Sequence, residues 1–593
     1  MNITVTLTLV VLLILIAVFV FGGIYLKRMA VSSTDFLLAG RNVPFWLLVS
    51  GYFGGMIGGA SVSGFVNLGF TQGVSAMWTG LFLMSGVMTF LLLFARRINY
   101  FGRKTGAVTM ADFICARYGE VMRIPAAITS FIRPAVLTGM QFLAIAVVAN
   151  IIFGISLEVG TVGAAVFIML YLITAGQYSA MVTQWFQAVL QAVGMLFFAF
   201  TTYRVVGDPV TVVNAMYEVL DSTFVTFWTI SPIFTVWFLT FFLYYICDPW
   251  LYMNAYLGKS PRISSNAMIT VYGFSFYGFL PFLSGLTLVV GVVLNRIVIP
   301  AGMAGDGLYT WFALNFSSTA VGVVILVALL TTILSCGSSF VMSGVGVLTR
   351  DFYQKGINKN ANEKQMLFAS RVSLIVITGM GIAAALWVPI LVPLWSLGQA
   401  LGLSGLFCTI VAAWFWKRST TAGAMASCIG GLGISFAWAA YAWINYGTPA
   451  AFVHVAGIPI HAAHVGIVTS LVLMIVVSLA TPPEYEKTEA TCWKTLGKEM
   501  ETSELVTDKK TGTGIFGYFG ADTPRLKAFW VFILVLLALS YLPLGLEIPF
   551  FGHALTWVSL VIGTLMAVVI AVKGWQDIRK MAAEGKANKE SQS

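Results

Sequence analysis

The stretch Thr331–Tyr353, TTILSCGSSFVMSGVGVLTRDFY, begins inside an apolar run and ends in a charged loop. Its membrane half carries Thr331, Thr332, Ser335, Cys336, Gly337, Ser338 and Ser339. A lipid-facing helix gains nothing from such a cluster. Close helix packing does, because small residues let backbones approach. An ion site does too, because hydroxyls and freed backbone carbonyls are the oxygen ligands of a hard cation. A second stretch answers it: Gly51–Gly73, GYFGGMIGGASVSGFVNLGFTQG. The two are expected to face each other across a transport site.

The rest of the chain sets the solvent. Of 593 residues 59% are hydrophobic and 9% charged, where a soluble domain carries roughly 25% charge. Mean hydropathy is +0.90. This is an all-α polytopic membrane protein of about 15 transmembrane helices, each of roughly 20 residues or more. The expected spans are 3–26, 44–71, 75–97, 124–153, 158–177, 183–206, 231–257, 267–294, 317–350, 367–388, 391–416, 422–446, 463–482, 526–545 and 550–573. The first has no basic segment before it and reads as a retained helix, not a cleaved signal. The net charge of +10 is loop charge and calls for no nucleic acid. Cys115, Cys247, Cys336, Cys408, Cys428 and Cys492 lack metal-ligand spacing and form no disulfide framework.

Alternate loops collect Lys and Arg: Lys27, Arg28 and Arg41; Arg96, Arg97, Arg103, Lys104 and Arg117; Lys259 and Arg262; Arg350, Lys355, Lys359 and Lys364; Lys417 and Arg418; Lys494, Lys498, Lys509 and Lys510. The positive-inside rule then puts the N-terminus outside and the C-terminus in the cytoplasm, which an odd helix count requires. Two spans are interrupted, the second by its glycines and the seventh by Asp248-Pro249. They open two blocks of five spans, 44–206 and 231–416. Matching interruptions in two halves point to an inverted-repeat transporter with its site near the midplane. The remaining units are a first helix and cytoplasmic entry loop (1–43), two peripheral helices (417–483), a polar cytoplasmic loop (484–525), and two C-terminal helices with a charged tail (526–593) whose end, from Ala587, is expected to be disordered.

Several motifs resemble the sodium:solute symporter family, with its LeuT-like five-plus-five inverted-repeat fold. They are SSTDFLLAGRNVPFW (Ser32–Trp46), TMADFICARYG (Thr109–Gly119), Asp351-Phe352-Tyr353, WFWKRSTTAGAMASCIGG (Trp414–Gly431) and SLATPPEY (Ser478–Tyr485). The resemblance runs from about 34 to 483. It implies sodium-driven symport of a small solute in a bacterial inner-type membrane. It also implies a sodium site made of carbonyls at Gly59, Val62 and Thr332 and the hydroxyl of Ser335. The next ligand position holds Cys336 where the family has Ser or Thr, and a thiol suits a hard cation poorly. A second, optional site needs an Asp where this chain has Gln184. Proton coupling is therefore the alternative to sodium.

On the substrate side, Ser61, Ser63 and Asn67 project from the broken helix, or cap its distorted backbone. Arg133 lies inside the fourth span, where charge costs roughly 2.5 kcal/mol or more and faces the bundle interior. Arg suits bidentate carboxylate recognition, as the resemblance also implies, so the expected solute is an organic anion; a neutral solute such as a sugar is the alternative. Arg133 could instead pair with Asp248 or snorkel, and Asp248 or Gln184 could gate or relay a proton. Gln141, Gln184 and Gln187 read as interhelical glue. His454, His461 and His464 fall in an expected solvated outer loop. A channel would need a polar ring and an enzyme a cluster of titratable residues within the spans; neither is written in the sequence. A transporter-like sensor is a further alternative, because the family the motifs resemble also supplies receptor modules.

Overall fold

A computed structural model describes residues 3–26, 32–228, 232–274, 278–300, 305–489, 491–502, 531, 535 and 549–590. Ten described helices are long and apolar enough to cross a membrane, or eleven when the bent pair Phe45–Met56 and Ala60–Gln72 counts as one. Three shorter apolar helices, Ile3–Phe19, Leu157–Leu170 and Leu280–Val293, stand where three further spans are expected. All of the expected span 526–545 except 531 and 535 lies outside the described residues.

The helices sort by burial. The best apolar windows of Thr319–Ile357 and Leu391–Phe415 are 78% and 89% buried, whereas that of Ala462–Ala480 is 33% buried. The first two form the centre and the last faces lipid. The Thr319–Ile357 helix packs on Glu120–Phe153, on Gly176–Val206 and on Phe45–Met56.

Three breaks have visible chemical causes. At Met56–Gly59 the chain leaves helical geometry at Ile57 (φ −102°, ψ 111°) and resumes bent by 62°. The cost of the freed N–H groups is met locally, because Gly59 N donates to Gln141 Oε1 at 2.9 Å. In Pro232–Leu257 the helix ends at Cys247 and restarts at Pro249. Proline loses nothing at a first helical position, and Asp248 Oδ1 caps it by accepting from Trp250 N at 3.0 Å. Between Leu157 and Val206 the kink is a single residue, Gly176 (φ 54°, ψ −130°). Only glycine holds that backbone cheaply. The loop expected at 178–182 is therefore helical.

Two further expectations are corrected. The last helix runs Pro549–Glu590, well past Lys573, so 587–590 are helical. The outer segment expected to be a solvated loop contains a hairpin, Val453–Val455 with Ile458–Ile460, and His461 is buried. His461 Nδ1 accepts from Ala463 N, and His464 Nδ1 accepts from His461 N. A neutral His464 then carries its proton on Nε2, which meets Thr235 Oγ1 at 2.8 Å. Helix capping is what draws these rings inward.

The basic loops meet at one end of the molecule. Arg41 Nη2 donates to Ala107 O, Arg103 Nη2 to Gly258 O, Arg117 Nη2 to Ser419 O, and Lys104 pairs with Glu499.

Candidate functional site

The broken helix and the Thr319–Ile357 helix lie in direct contact, as their small residues require. A methyl group at Gly54 would collide with Ser335 Oγ. One at Gly55 would lie 2.7 Å from Ser339 Oγ, and one at Gly58 would lie 2.7 Å from Cys336 Sγ. Gly59 approaches Ile333 and Ala144. Of the predicted ligand residues, Gly59, Ser335 and Cys336 lie where the two helices meet, and Val62 and Thr332 are buried on the same two elements. Thr332 spends its hydroxyl on Ala328 O at 2.7 Å. Ser335 Oγ is buried with no hydrogen-bond partner. Cys336 Sγ donates to Gly55 O at 3.2 Å.

The residues fit a small hard cation in part. An unengaged hydroxyl beside carbonyls at a helix break is the right donor type. The thiol is not; it works here as a donor that ties the two helices together. Among the described residues there is no group of three or more His, Cys, Asp or Glu that could hold a transition metal.

Gln184 explains the neighbouring hydroxyls. Its Nε2 donates to Ser339 Oγ at 2.7 Å, to Ser338 Oγ at 3.2 Å and approaches Ser335 O at 3.4 Å. An NH2 group thus lies against the oxygens that a second cation would need. An amide has no titrating proton, so the proton-relay role considered for Gln184 does not follow; it is interhelical glue. Gln141 has the same role through Gly59 N.

Arg133 and Asp248 are partners. Nη1 lies 2.8 Å from Oδ1, and both side chains are buried, 1% and 0% exposed. The guanidinium also sits 5.2 Å from the Tyr244 ring centroid and 5.0 Å from that of Phe340. Of the three readings of Arg133, the structure holds the ion pair. The depth that made both residues conspicuous is the depth at which they meet.

A small pocket lies beside the break, lined by residues that include Ser61, Phe53, Phe65, Met84, Val271 and Phe279. Ser61 is the one of the four predicted substrate residues that lines it. Ser63 is buried elsewhere. Asn67 faces Asp306, whose Oδ2 accepts from Leu391 N at 3.0 Å. Burial raises the carboxyl of Asp306 above the usual range.

The motif residues that carried the resemblance assemble at the basic end. Arg123 Nη1 bonds Asp112 Oδ1 at 2.6 Å and Asp351 Oδ1 at 2.8 Å. Thr109 Oγ1 donates to Asp351 Oδ1 at 3.1 Å, and Arg350 Nε lies 3.3 Å from Asp112 Oδ2. Burial pushes the Asp112 carboxyl up, but Arg350 and Arg123 outweigh it and hold it below the usual range. Arg123 escaped the sequence reading because a basic residue in a basic loop looks solvated.

A helical bundle with two interrupted helices, and an oxygen-rich contact at one interruption, fits the architecture of a secondary transporter. The family model "Sodium:solute symporter family" matches residues 36–431, and the chain belongs to that family. A sodium/proline symporter of Staphylococcus aureus (strain bovine RF122 / ET3-1) is 24% identical over 72% of this chain and 84% of its own. The osmoregulated proline transporter OpuE of Bacillus subtilis (strain 168) is 23% identical over 70% and 85%. Among solved structures, a Na+-coupled sialic acid symporter in a substrate-bound outward-open state overlays with a TM-score of 0.66 at 18% identity, covering 80% of this chain and 98% of the other. The expected LeuT-like fold is therefore the fold of this chain, an integral membrane solute symporter.

Proposed function

We propose that this protein couples inward movement of one sodium ion to uptake of a small amphipathic carboxylate, by alternating access. The observation that carries the reading is the meeting of the helix break with Ser335, beside a cavity reached by Ser61. Carbonyls of Gly59, Val62 and Thr332 and the Ser335 hydroxyl hold the cation, with Cys336 as a weak neighbour. One cation suffices, because Gln184 occupies the second set of hydroxyls. The membrane potential supplies about 2.3 kcal/mol per charge per 100 mV, more than a tenfold gradient of solute.

The relatives carry proline, and the structural neighbour carries sialic acid. Both solutes bear a carboxylate. The cavity here is walled mainly by apolar and aromatic side chains, which suits the ring of proline better than a polyhydroxylated body. The basic end faces the cytoplasm, the N-terminus lies outside, and the repeats are 44–206 and 231–416.

The test is uptake into proteoliposomes of labelled carboxylates, amino acids and sugars, with sodium and proton gradients imposed separately. Sodium-driven uptake of a carboxylate, lost in Ser335→Ala, is the expected result. Sugar uptake alone would remove the carboxylate reading. A second reading, proton coupling, draws on Asp248, whose Oδ2 is buried with no hydrogen-bond partner. It predicts uptake that follows only the proton gradient.

A further inference from the structure

We propose that the C-terminal helix Pro549–Glu590 is a clamp on the moving half of the broken helix, with Asp577 as its positioning residue. The helix lies beyond the family-matched residues 36–431. It is an addition to the transport core, and its contacts with that core include one at the far end of the broken helix and one next to Gln184.

The first point is the end of the Phe45–Met56 helix. A helix start leaves four backbone N–H groups unpaired. Pro44 stands at the cap position and offers no side-chain oxygen. Asp577 supplies one from 531 residues away: Trp46 N donates to its Oδ2 at 2.8 Å. Asp577 is 8% exposed, so this carboxylate is held at the positive end of the helix with little competition from water.

The second point is Trp185, which follows Gln184 on the wall of the site. Trp185 Nε1 donates to Ile570 O at 2.7 Å, and its ring centroid lies 5.7 Å from that of Trp575. Gly574 makes room for it; a methyl group there would collide with the indole. The same helix thus grips both the end of the broken helix and the helix that carries Gln184.

The inner half of the broken helix is a lever. Its pivot is the 62° break at Met56–Gly59, and Asp577 holds its far end. Tilting that half requires Trp46 N to leave Asp577. The inference rests on the transport reading, because it assumes that this half moves during the cycle.

Hydrogen exchange read by mass spectrometry on the full chain in nanodiscs tests the clamp without any solute. In Asp577→Ala the amides of 45–50 should exchange about tenfold faster, and in Gly574→Ala about threefold faster, with 421–446 unchanged. Exchange within twofold of wild type in both variants overturns the clamp. If Asp577→Ala does not fold, Gly574→Ala decides by the same criterion. The sodium concentration for half-maximal uptake should rise about threefold in Asp577→Ala, because the outward-facing state is depleted. Faster exchange with that concentration unchanged reduces the contact to scaffolding and overturns the proposal. Faster exchange with no sodium-driven uptake in wild type faults the transport reading instead.

Discussion

Arg133 and Asp248 form a buried pair that neither partner can leave alone. Removing one charge strands the other in the bundle, a loss of about 3–5 kcal/mol, whereas replacing both with neutral partners is often tolerated. Arg133→Gln alone should therefore yield little folded protein, and Arg133→Gln with Asp248→Asn should restore it; fluorescence-detected size exclusion reads both. The double variant should keep uptake if the pair is structural, and lose it if Arg133 must release Asp248 to hold the solute. Cys336→Ser exchanges a soft donor for a hydroxyl beside Ser335. It should lower the half-saturating sodium concentration about threefold in uptake assays, or not at all if Cys336 serves mainly to tie Gly55. His461 carries the pH prediction. Burial, with His464 beside it, lowers its pKa from 6.5 to about 3. The unfolded chain therefore binds the proton more readily, and the stability this group contributes is fully present above pH 6.5 and is lost as pH falls toward 3. His461→Asn, which can still cap, should gain on wild type by about 1.4 kcal/mol per pH unit below 6.5, read as the difference in thermal unfolding between pH 7 and pH 5.

The broken helix can be tested by glycines alone. Gly54→Ala drives a methyl group into Ser335 Oγ, whereas Gly163→Ala on a neighbouring helix meets nothing within 4 Å. The first should abolish uptake while the second leaves it within twofold, measured at equal protein in the membrane. Such elements were the most legible part of the sequence. Runs of about 20 apolar residues announce spans, and GGMIGG beside an answering TTILSCGSS announces where two of them touch. Gly176 was less legible, because one glycine in an apolar run does not reveal a left-handed φ. Likewise the His461–His464 cap reads as loop until the backbone N–H groups it satisfies are in view. Long-range partners were the least legible. Charge alone paired Arg133 with Asp248 as one possibility among three, but nothing in local pattern joins Trp46 to Asp577, since the contact depends on how distant helices stack.

At the scale of the whole molecule, the motifs that identified the family turn out to be the fastening of one end. Asp112 and Asp351 meet on Arg123, and Thr109 donates to Asp351, joining the Met110–Tyr118 helix to the ends of two core helices. The proposed alternating-access cycle would have to loosen this end once per turnover, and Cys115 is a native reporter of it. Cys115 is buried among these charges, and burial pushes its thiol up to about 12, only partly offset by Arg123. In the closed state it is both hidden and protonated, and the thiolate is the reactive form. Asp351→Asn keeps the shape of the side chain but removes one of the three carboxylate charges that hold Arg123, the others being Asp112 and Glu120. It should shift the population toward the state open at this end, exposing Cys115 and returning its pKa toward 9 together. Maleimide labelling of Cys115, identified by peptide mass, should then run about tenfold faster than in wild type. Saturating sodium from the opposite side should slow it again, because binding at the helix break favours the state closed at this end. Labelling that is fast in the variant but indifferent to sodium would mean the fastening and the cation site are not coupled. Labelling as slow as wild type would mean that Arg123 and Asp112 hold this end closed without Asp351.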